Sequence, residues 1–281
     1  MKRILAIVMV LALALSLTAC AKTEKAESSA VEESSVAEES VAVEESAEEV
    51  SEEAAEESSE TAEETSEVAV MSHLDYVNAE LDSLVCVETY VQAKQGWWED
   101  KATVYCQSED GAYFLYNMPC SEADYERLVP GTRIKVTGYK AEWSGEVEIV
   151  DATFEIFDEG TFVAEPLDVT ELLGKDELVD HQNELVAFKD LEVVASTDAD
   201  GNEAAFLYNW DGSGEEGSDL YFNVKSGDVT AQFTVESYLC GADTDVYKAV
   251  KELKIGDKID CEGFLYWYNG ANPHITNVTV K

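Results

Sequence analysis

Pro130-Gly-Thr-Arg-Ile-Lys-Val-Thr-Gly-Tyr139 is followed by the turn Trp143-Ser144-Gly145 and then by Glu146–Phe154. A second stretch, Ile255-Gly-Asp-Lys-Ile-Asp-Cys-Glu-Gly-Phe264, is followed by Asn269-Gly270 and then by His274–Val280. Gly131, Ile134, Val136 and Gly138 match Gly256, Ile259, Cys261 and Gly263 at a constant offset of 125. In both copies apolar residues alternate, which is the period of a half-buried strand. The turn residues between the paired runs make each copy a β-hairpin. The Gly that closes each alternation lets a strand bend sharply. One hairpin met twice predicts two β domains in tandem.

Working upstream, Ser72 caps a helix over His73–Glu80, with Asp75 completing a capping box. Strands are predicted over Leu84–Val91, Lys101–Gln107 and Ala112–Asn117, the last two joined by Ser108-Glu109-Asp110-Gly111. Ser121-Glu122-Ala123-Asp124 opens a short helix with Tyr125, Leu128 and Val129 on one face, and Pro130-Gly131 ends it. The order is three strands, a helix, then the hairpin. Short strands with turn signals at this spacing fit a small closed barrel. The helix position and the Gly-terminated fourth strand resemble an OB-fold, a five-stranded Greek-key barrel. The fold class expected is therefore mainly β, two tandem OB-fold-like barrels with short helices. Over nearly the whole mature chain the pattern also resembles uncharacterised tandem OB-type surface lipoproteins of Gram-positive anaerobes. That resemblance implies no activity.

Domain one is placed at 71–158 and domain two at 159–281. The junction 158–168 holds Gly160 and Pro166, and Asp168–Gln182 reads as one or two short helices broken near Gly174. Leu185–Ser196 is a long strand, with a turn at Asp198–Asn202. Phe206-Leu207-Tyr208-Asn209 repeats Phe114-Leu115-Tyr116-Asn117 at an offset of 92, whereas the hairpin repeats at 125. If the tetrapeptides mark the same strand, 33 extra residues fall in Trp210–Gly241 as inserted strands, Asp219–Val224 and Thr230–Tyr238. Otherwise the tetrapeptides mark different strands. A helix over Thr244–Leu253 follows.

The N-terminus carries an address. Lys2 and Arg3 precede an apolar run from Ile4 to Leu17, too short to span a bilayer and flanked like a signal peptide. It ends Leu17-Thr18-Ala19-Cys20, which resembles the lipobox of bacterial lipoproteins. The resemblance implies that 1–20 is the signal region and that Cys20 is lipidated, for example with palmitate. The mature protein would then stand on the outer face of the cell membrane, held by lipid. Residues 21–70 hold 18 Glu against two Lys, with no aromatic residue, Gly or Pro. Such a segment buries too little apolar surface to offset chain entropy and is predicted to be a disordered linker. Fully stretched it would reach about 170 Å.

Charge excludes more than any motif does. Residues 71–281 hold 42 acidic and 14 basic side chains, a net charge of −28. A surface so acidic repels polyphosphate, which argues against nucleic acid as a partner. Five cysteines follow Cys20, an odd count that cannot be a complete disulfide set. Cys261 replaces core-facing Val136 in the repeat and reads as a small buried hydrophobe, while Cys86 and Cys106 lie on adjacent strands and could pair.

No enzymatic motif stands. Gly212-Ser213-Gly214-Glu215-Glu216-Gly217 has dinucleotide-loop spacing but strand-like flanks and two internal Glu, so it reads as a plain loop. Asp198, Asp200 and Asn202 have the spacing of calcium-loop ligands, but Glu203 and Asn209 stand where the sharp-turn Gly and bidentate Glu are needed. His73, His181 and His274 are far apart in sequence. The chain is therefore expected to be no enzyme and to use no metal or cofactor.

The aromatic residues are more telling. OB-fold ligands lie across the barrel face beside the loops joining strands one to two and four to five. In domain one those loops hold Trp97 and Trp98, and Trp143. In domain two the four-to-five region holds Trp267 and Tyr268. Beside them Glu99 and Glu146 could accept sugar hydroxyls, or the rings could hold a cation. These seven residues are the candidate ligand site. The rings could equally be caps on the open barrel ends. The expected function is a lipid-anchored extracellular binding module for a neutral or cationic ligand, whether glycan, peptide or protein. The alternative is a structural or interaction subunit without a small ligand, and nucleic-acid capture ranks below both.

Overall fold

The computed structural model describes residues 68–281. The signal region, Cys20 and most of the 21–70 linker lie outside the described residues.

Ser72 caps α1 (His73–Asn78), accepting from the Asp75 N–H at 3.2 Å and donating to its carboxylate at 2.7 Å. The far end of this short helix is closed by a buried lysine. Lys140 Nζ donates to the carbonyls of Tyr76, Val77 and Ala79 at 2.8–3.0 Å, which satisfies acceptors a helix C-terminus leaves open.

Five strands follow: β1 (Leu84–Lys94), β2 (Lys101–Ser108), β3 (Gly111–Pro119), β4 (Thr132–Trp143) and β5 (Glu146–Thr161). They close into a barrel in the order β1-β2-β3-β5-β4, with α2 (Glu122–Arg127) between β3 and β4. Only β3 and β5 pair in parallel; the other pairs are antiparallel. This is the OB wiring. Inward residues of alternating strands, including Val85, Val104, Leu115, Ile134 and Ile149, fill the barrel.

The second half repeats that wiring. Its small elements are β6 (Leu167–Asp168), two 3-10 turns, and the two-residue strands β8 (Ser196–Thr197), β9 (Glu203–Ala204) and β10 (Leu207–Tyr208). Its barrel strands are β7 (Leu185–Val194), β11 (Leu220–Ser226), β12 (Val229–Val235), β13 (Lys258–Phe264) and β14 (His274–Val280). β7 pairs with both β11 and β13, β12 joins β11 to β14, and β14 joins β13, so the ring closes. As in the first barrel, strands three and five are the parallel pair. α3 (Asp245–Lys251) lies between β12 and β13, where α2 lies in the first barrel.

The repeated glycines are explained by crowding. Gly138 sits at a register shift between β4 and β5, and a Cβ there would stand 2.8 Å from Ala152, Ile149 and Val150. Gly263 sits at the matching shift, where a Cβ would stand 2.2 Å from the His274 carbonyl oxygen. The neighbouring strand's approach leaves no room for a side chain.

Of the two readings of the tetrapeptides, the one in which they mark different strands holds, and two expected bounds move. Phe206–Asn209 does not occupy the place of Phe114–Asn117: the first pair of residues precedes and forms the start of β10, in the connection between strands one and two of the second barrel, whereas Phe114–Asn117 lies in β3. The runs at Asp219–Val224 and Thr230–Tyr238 are therefore not insertions but the second and third barrel strands, and the extra residues fall earlier, between β7 and β11. The first barrel's last strand runs past residue 158 to Thr161. Cys86 and Cys106 are free and buried. Cys86 faces β4, while Cys106 pairs opposite Val91. Five residues of strand separate those positions by roughly 16 Å, far beyond the reach of a disulfide.

Candidate functional site: an aromatic cleft between the barrels

The two barrels share a seam. Tyr105 stacks on Phe264 at 4.4 Å and Phe114 meets Tyr266 edge-on at 5.5 Å. Backbone and side-chain hydrogen bonds cross it: Gly96 N–H to the Tyr238 carbonyl at 2.8 Å, Gln95 Nε2 to Glu236 Oε2 at 3.1 Å, and Asn269 N–H to the Ser144 carbonyl at 2.7 Å.

The seam absorbs several predicted site residues. Glu146 is fully buried in it. Its Oε2 accepts from the Trp267 N–H at 2.8 Å and from Gln182 Nε2 at 3.2 Å, while Oε1 has no partner. Burial pushes its carboxyl up to about 8. The Trp267 ring lies against Gly145, leaving no space for a Cβ there. Ser144 (φ 54°) and Gly145 (φ 93°) make the turn that presents this surface. Trp97 is half-buried and donates its indole N–H to the Cys120 carbonyl at 2.9 Å. Glu146, Trp267 and Trp97 are thus packing and docking groups. Glu99 is exposed and stands outside the cleft lining.

Beside the seam opens a cleft of about 1090 Å³, lined by both barrels. Trp98 and Trp143 reach it from the first barrel's one-to-two and four-to-five connections. Trp210 and Tyr268 reach it from the same two connections of the second barrel. Tyr116 and Asn117 on β3, Tyr221 on β11 and Gln232 on β12 supply walls from strands two and three. Both barrels thus turn the same face, the one OB-folds use for ligands, onto one space.

The large rings are open to solvent. Trp98 is 71% exposed, Trp210 67%, Tyr238 72%, Trp143 54% and Tyr268 49%. Trp143 and Tyr268, one from each barrel, lie with ring centroids 5.1 Å apart. Five such rings around one cleft form an exposed apolar surface.

Charge in the cleft is muted. Lys101 is the one lysine or arginine among its lining residues, which also include Asp219 and Glu236. Asp219 Oδ1 is taken by the Ser237 N–H at 2.8 Å and the Ser237 hydroxyl at 2.6 Å. Glu236 accepts from the Tyr238 and Leu239 N–H groups at 3.3 and 2.9 Å, besides Gln95. Burial raises Glu236 to about 7. His274, at the floor, is held down to about 3 by burial and is neutral at pH 7.

Trp210, Tyr116, Tyr221, Gln232 and Tyr238 escaped the sequence reading. A signal existed for Trp210. Once Asp219–Val224 is the second strand, Trp210 falls in the one-to-two connection, as Trp97 and Trp98 do in the first barrel. The tetrapeptide match concealed it.

Elsewhere, Asp198 spends its carboxylate on its own turn, accepting from the Asp200 and Asn202 N–H groups at 2.9 and 2.8 Å and from Asn202 Nδ2 at 2.9 Å. Among the described residues no three His, Cys, Asp or Glu side chains are grouped to hold a metal ion.

No protein-family model and no curated protein sequence matches the chain. Solved structures that it is similar to include a murine DNA-binding protein bound with double-stranded DNA, at TM-score 0.33 and 12% identity, covering 70% of this chain and 96% of that one. The tetrameric p202 HIN2 domain is matched at TM-score 0.30 and 10% identity, over 72% and 96%. A replication protein A heterotrimer bound to single-stranded DNA is matched at TM-score 0.29 and 10% identity, over 70% and 49%. The likeness is one of fold alone.

Proposed function

We propose that this chain is a lipid-anchored extracellular binding module, with no catalytic role, that takes a neutral or cationic ligand in the cleft between its barrels. The observation that carries the proposal is the set of exposed rings, Trp98 and Trp143 from one barrel and Trp210, Tyr238 and Tyr268 from the other, around a single space. Tyr and Trp bury large area at little entropic cost and suit such surfaces. Anchoring rests on the leader and Cys20, and the acidic linker would hold the barrels away from the lipid surface. Nucleic acid fits poorly, because one lysine lines the cleft and the described surface belongs to a strongly acidic chain.

Tryptophan emission of the purified protein, titrated with glycan, peptide and single-stranded DNA panels, tests the proposal. A shift with glycan or peptide that disappears in Trp143→Ala supports it. A shift with DNA alone in about 150 mM salt overturns it. A second reading has its own support: Leu74 and Val77 on α1, Leu81, and the paired Leu84 and Tyr139 are exposed apolar residues that a protein partner could cover. Silence across every panel favours that interaction subunit.

A further inference from the structure

We infer that the ligand of the cleft is a neutral, linear oligosaccharide that contacts both barrels at once; the inference rests on the reading of the cleft as a binding site. Three observations point there.

First, apart from Lys101, the side chains left without a protein partner for a ligand to meet are mostly uncharged. The side chains of Asn117 and Gln232 and the hydroxyls of Tyr116, Tyr221 and Tyr268 make no hydrogen bond to the described protein. Amides and phenols both donate and accept, as sugar hydroxyls do. The carboxylates that would have recognised a cation are instead committed to Ser237 and to the backbone of 238–239. A cationic peptide would meet Lys101 and two carboxylates already drawn to Ser237, Gln95 and the backbone of 238–239. An anionic ligand would meet those same carboxylates on a net-negative chain.

Second, the rings suit a ligand with apolar faces and polar edges. A pyranose presents C–H groups on its faces and hydroxyls around its rim. Flat exposed rings beside free amides match that distribution.

Third, the space is large and shared. At about 1090 Å³ the cleft lies at the upper end of the range of roughly 300–1,000 Å³ usual for single small molecules. Its rings come from equivalent loops of two barrels, so a chain of sugar units can stack on one barrel and continue onto the other. A monosaccharide would leave one set of rings unused.

The test starts from a glycan array of neutral oligosaccharides probed with the full chain. The best binder's mono-, di-, tetra- and hexasaccharide are then titrated by calorimetry, beside a lysine-rich peptide. Affinity should rise at least about tenfold from the disaccharide to the longest chain, the equivalent of about 1.4 kcal/mol. Trp143→Ala and Trp210→Ala, one on each barrel, should each weaken the long ligand by about tenfold or more while leaving the monosaccharide's weak binding changed in only one of them. Binding should vary little between low and high salt. Thermal melts of both variants confirm that they remain folded. Binding that saturates at the monosaccharide, or that ignores Trp210→Ala, overturns the two-barrel chain. Binding of the lysine-rich peptide alone, with a steep salt dependence, overturns the sugar but leaves the cleft as a binding site. Failure of every probe overturns both readings.

Discussion

The hydroxyl of Tyr105 on the first barrel and Nδ1 of His274 on the second stand 2.9 Å apart inside the protein. His274 is neutral there, so one ring nitrogen accepts, and the Tyr105 O–H facing Nδ1 is the natural donor. Tyr105 also stacks on Phe264, and His274 stacks on Tyr266 at 4.3 Å. One polar contact is thus wrapped by rings from both barrels, and the seam is built like a core.

Tyr105→Phe tests this. It keeps the ring and strands the His274 acceptor, at a cost of about 1–3 kcal/mol. Because the seam couples the barrels, urea unfolding should remain one transition with an unchanged slope and a lower midpoint. Two separated transitions in the wild type would show that the barrels unfold independently and that the contact binds little.

Stability should peak at mildly acidic pH. Glu146 titrates near 8 in the fold, above the ordinary 4.5. The folded protein therefore keeps a proton that the unfolded chain releases as pH rises past 4.5, and stability falls from there up to about 8. Glu236, at about 7, and Glu148, at about 6, act in the same direction. His274 opposes them: its folded value near 3 lies below the ordinary 6.5, so stability is lost as pH falls from 6.5 toward 3. Above pH 4.5 three carboxyls outweigh the one imidazole, so the melting temperature should pass through a maximum at about pH 4.5. Glu146→Gln keeps an acceptor for the Trp267 N–H and adds a donor for the unpartnered side of the site. It should raise the melting temperature at pH 8 and change it little at pH 5. Melts at both pH values decide, and an unchanged midpoint at pH 8 would refute the assignment.

The barrels were legible because their hairpins alternate cleanly and their glycines mark where β5 and β14 approach too closely for a Cβ. The cleft was only half legible. Trp98 and Trp143 follow from loop positions within one barrel. Trp267 and Glu146 sit on loops of the same type, yet they are turned into the seam, because Ser144 and Gly145 present a flat surface on which Trp267 packs. Which loop residue faces a ligand and which faces a neighbouring barrel is a tertiary matter, and no local period encodes it. Exposed Tyr238, just after β12, carries no signal at all.

Anchoring has a direct test. If Cys20 is lipidated, the wild type should partition into the detergent phase and Cys20→Ser into the aqueous phase, with the variant released to the medium. Equal aqueous partitioning of both would remove the anchor from the proposal.

The cleft rings should be expendable for folding. Trp98 and Trp143 are more than half exposed, so truncation removes little buried area. Surface substitutions usually change stability by about 0.5 kcal/mol or less, and Trp98→Ala and Trp143→Ala should stay near that. Phe264→Ala, in the seam, is the contrast: a fully packed aromatic ring costs about 3–5 kcal/mol to truncate. Trp97→Ala should fall between them, since it loses packing and leaves the Cys120 carbonyl without its donor. Fluorescence separates the same residues independently. Acrylamide should quench most of the emission, because Trp98, Trp143 and Trp210 face solvent while Trp97 and Trp267 are partly covered. Removing any one of the three exposed rings should lower the quenchable fraction without moving the melting temperature much. A large loss of stability in Trp98→Ala or Trp143→Ala, together with shielded emission, would mean that these rings hold the barrels together and are not free for a ligand.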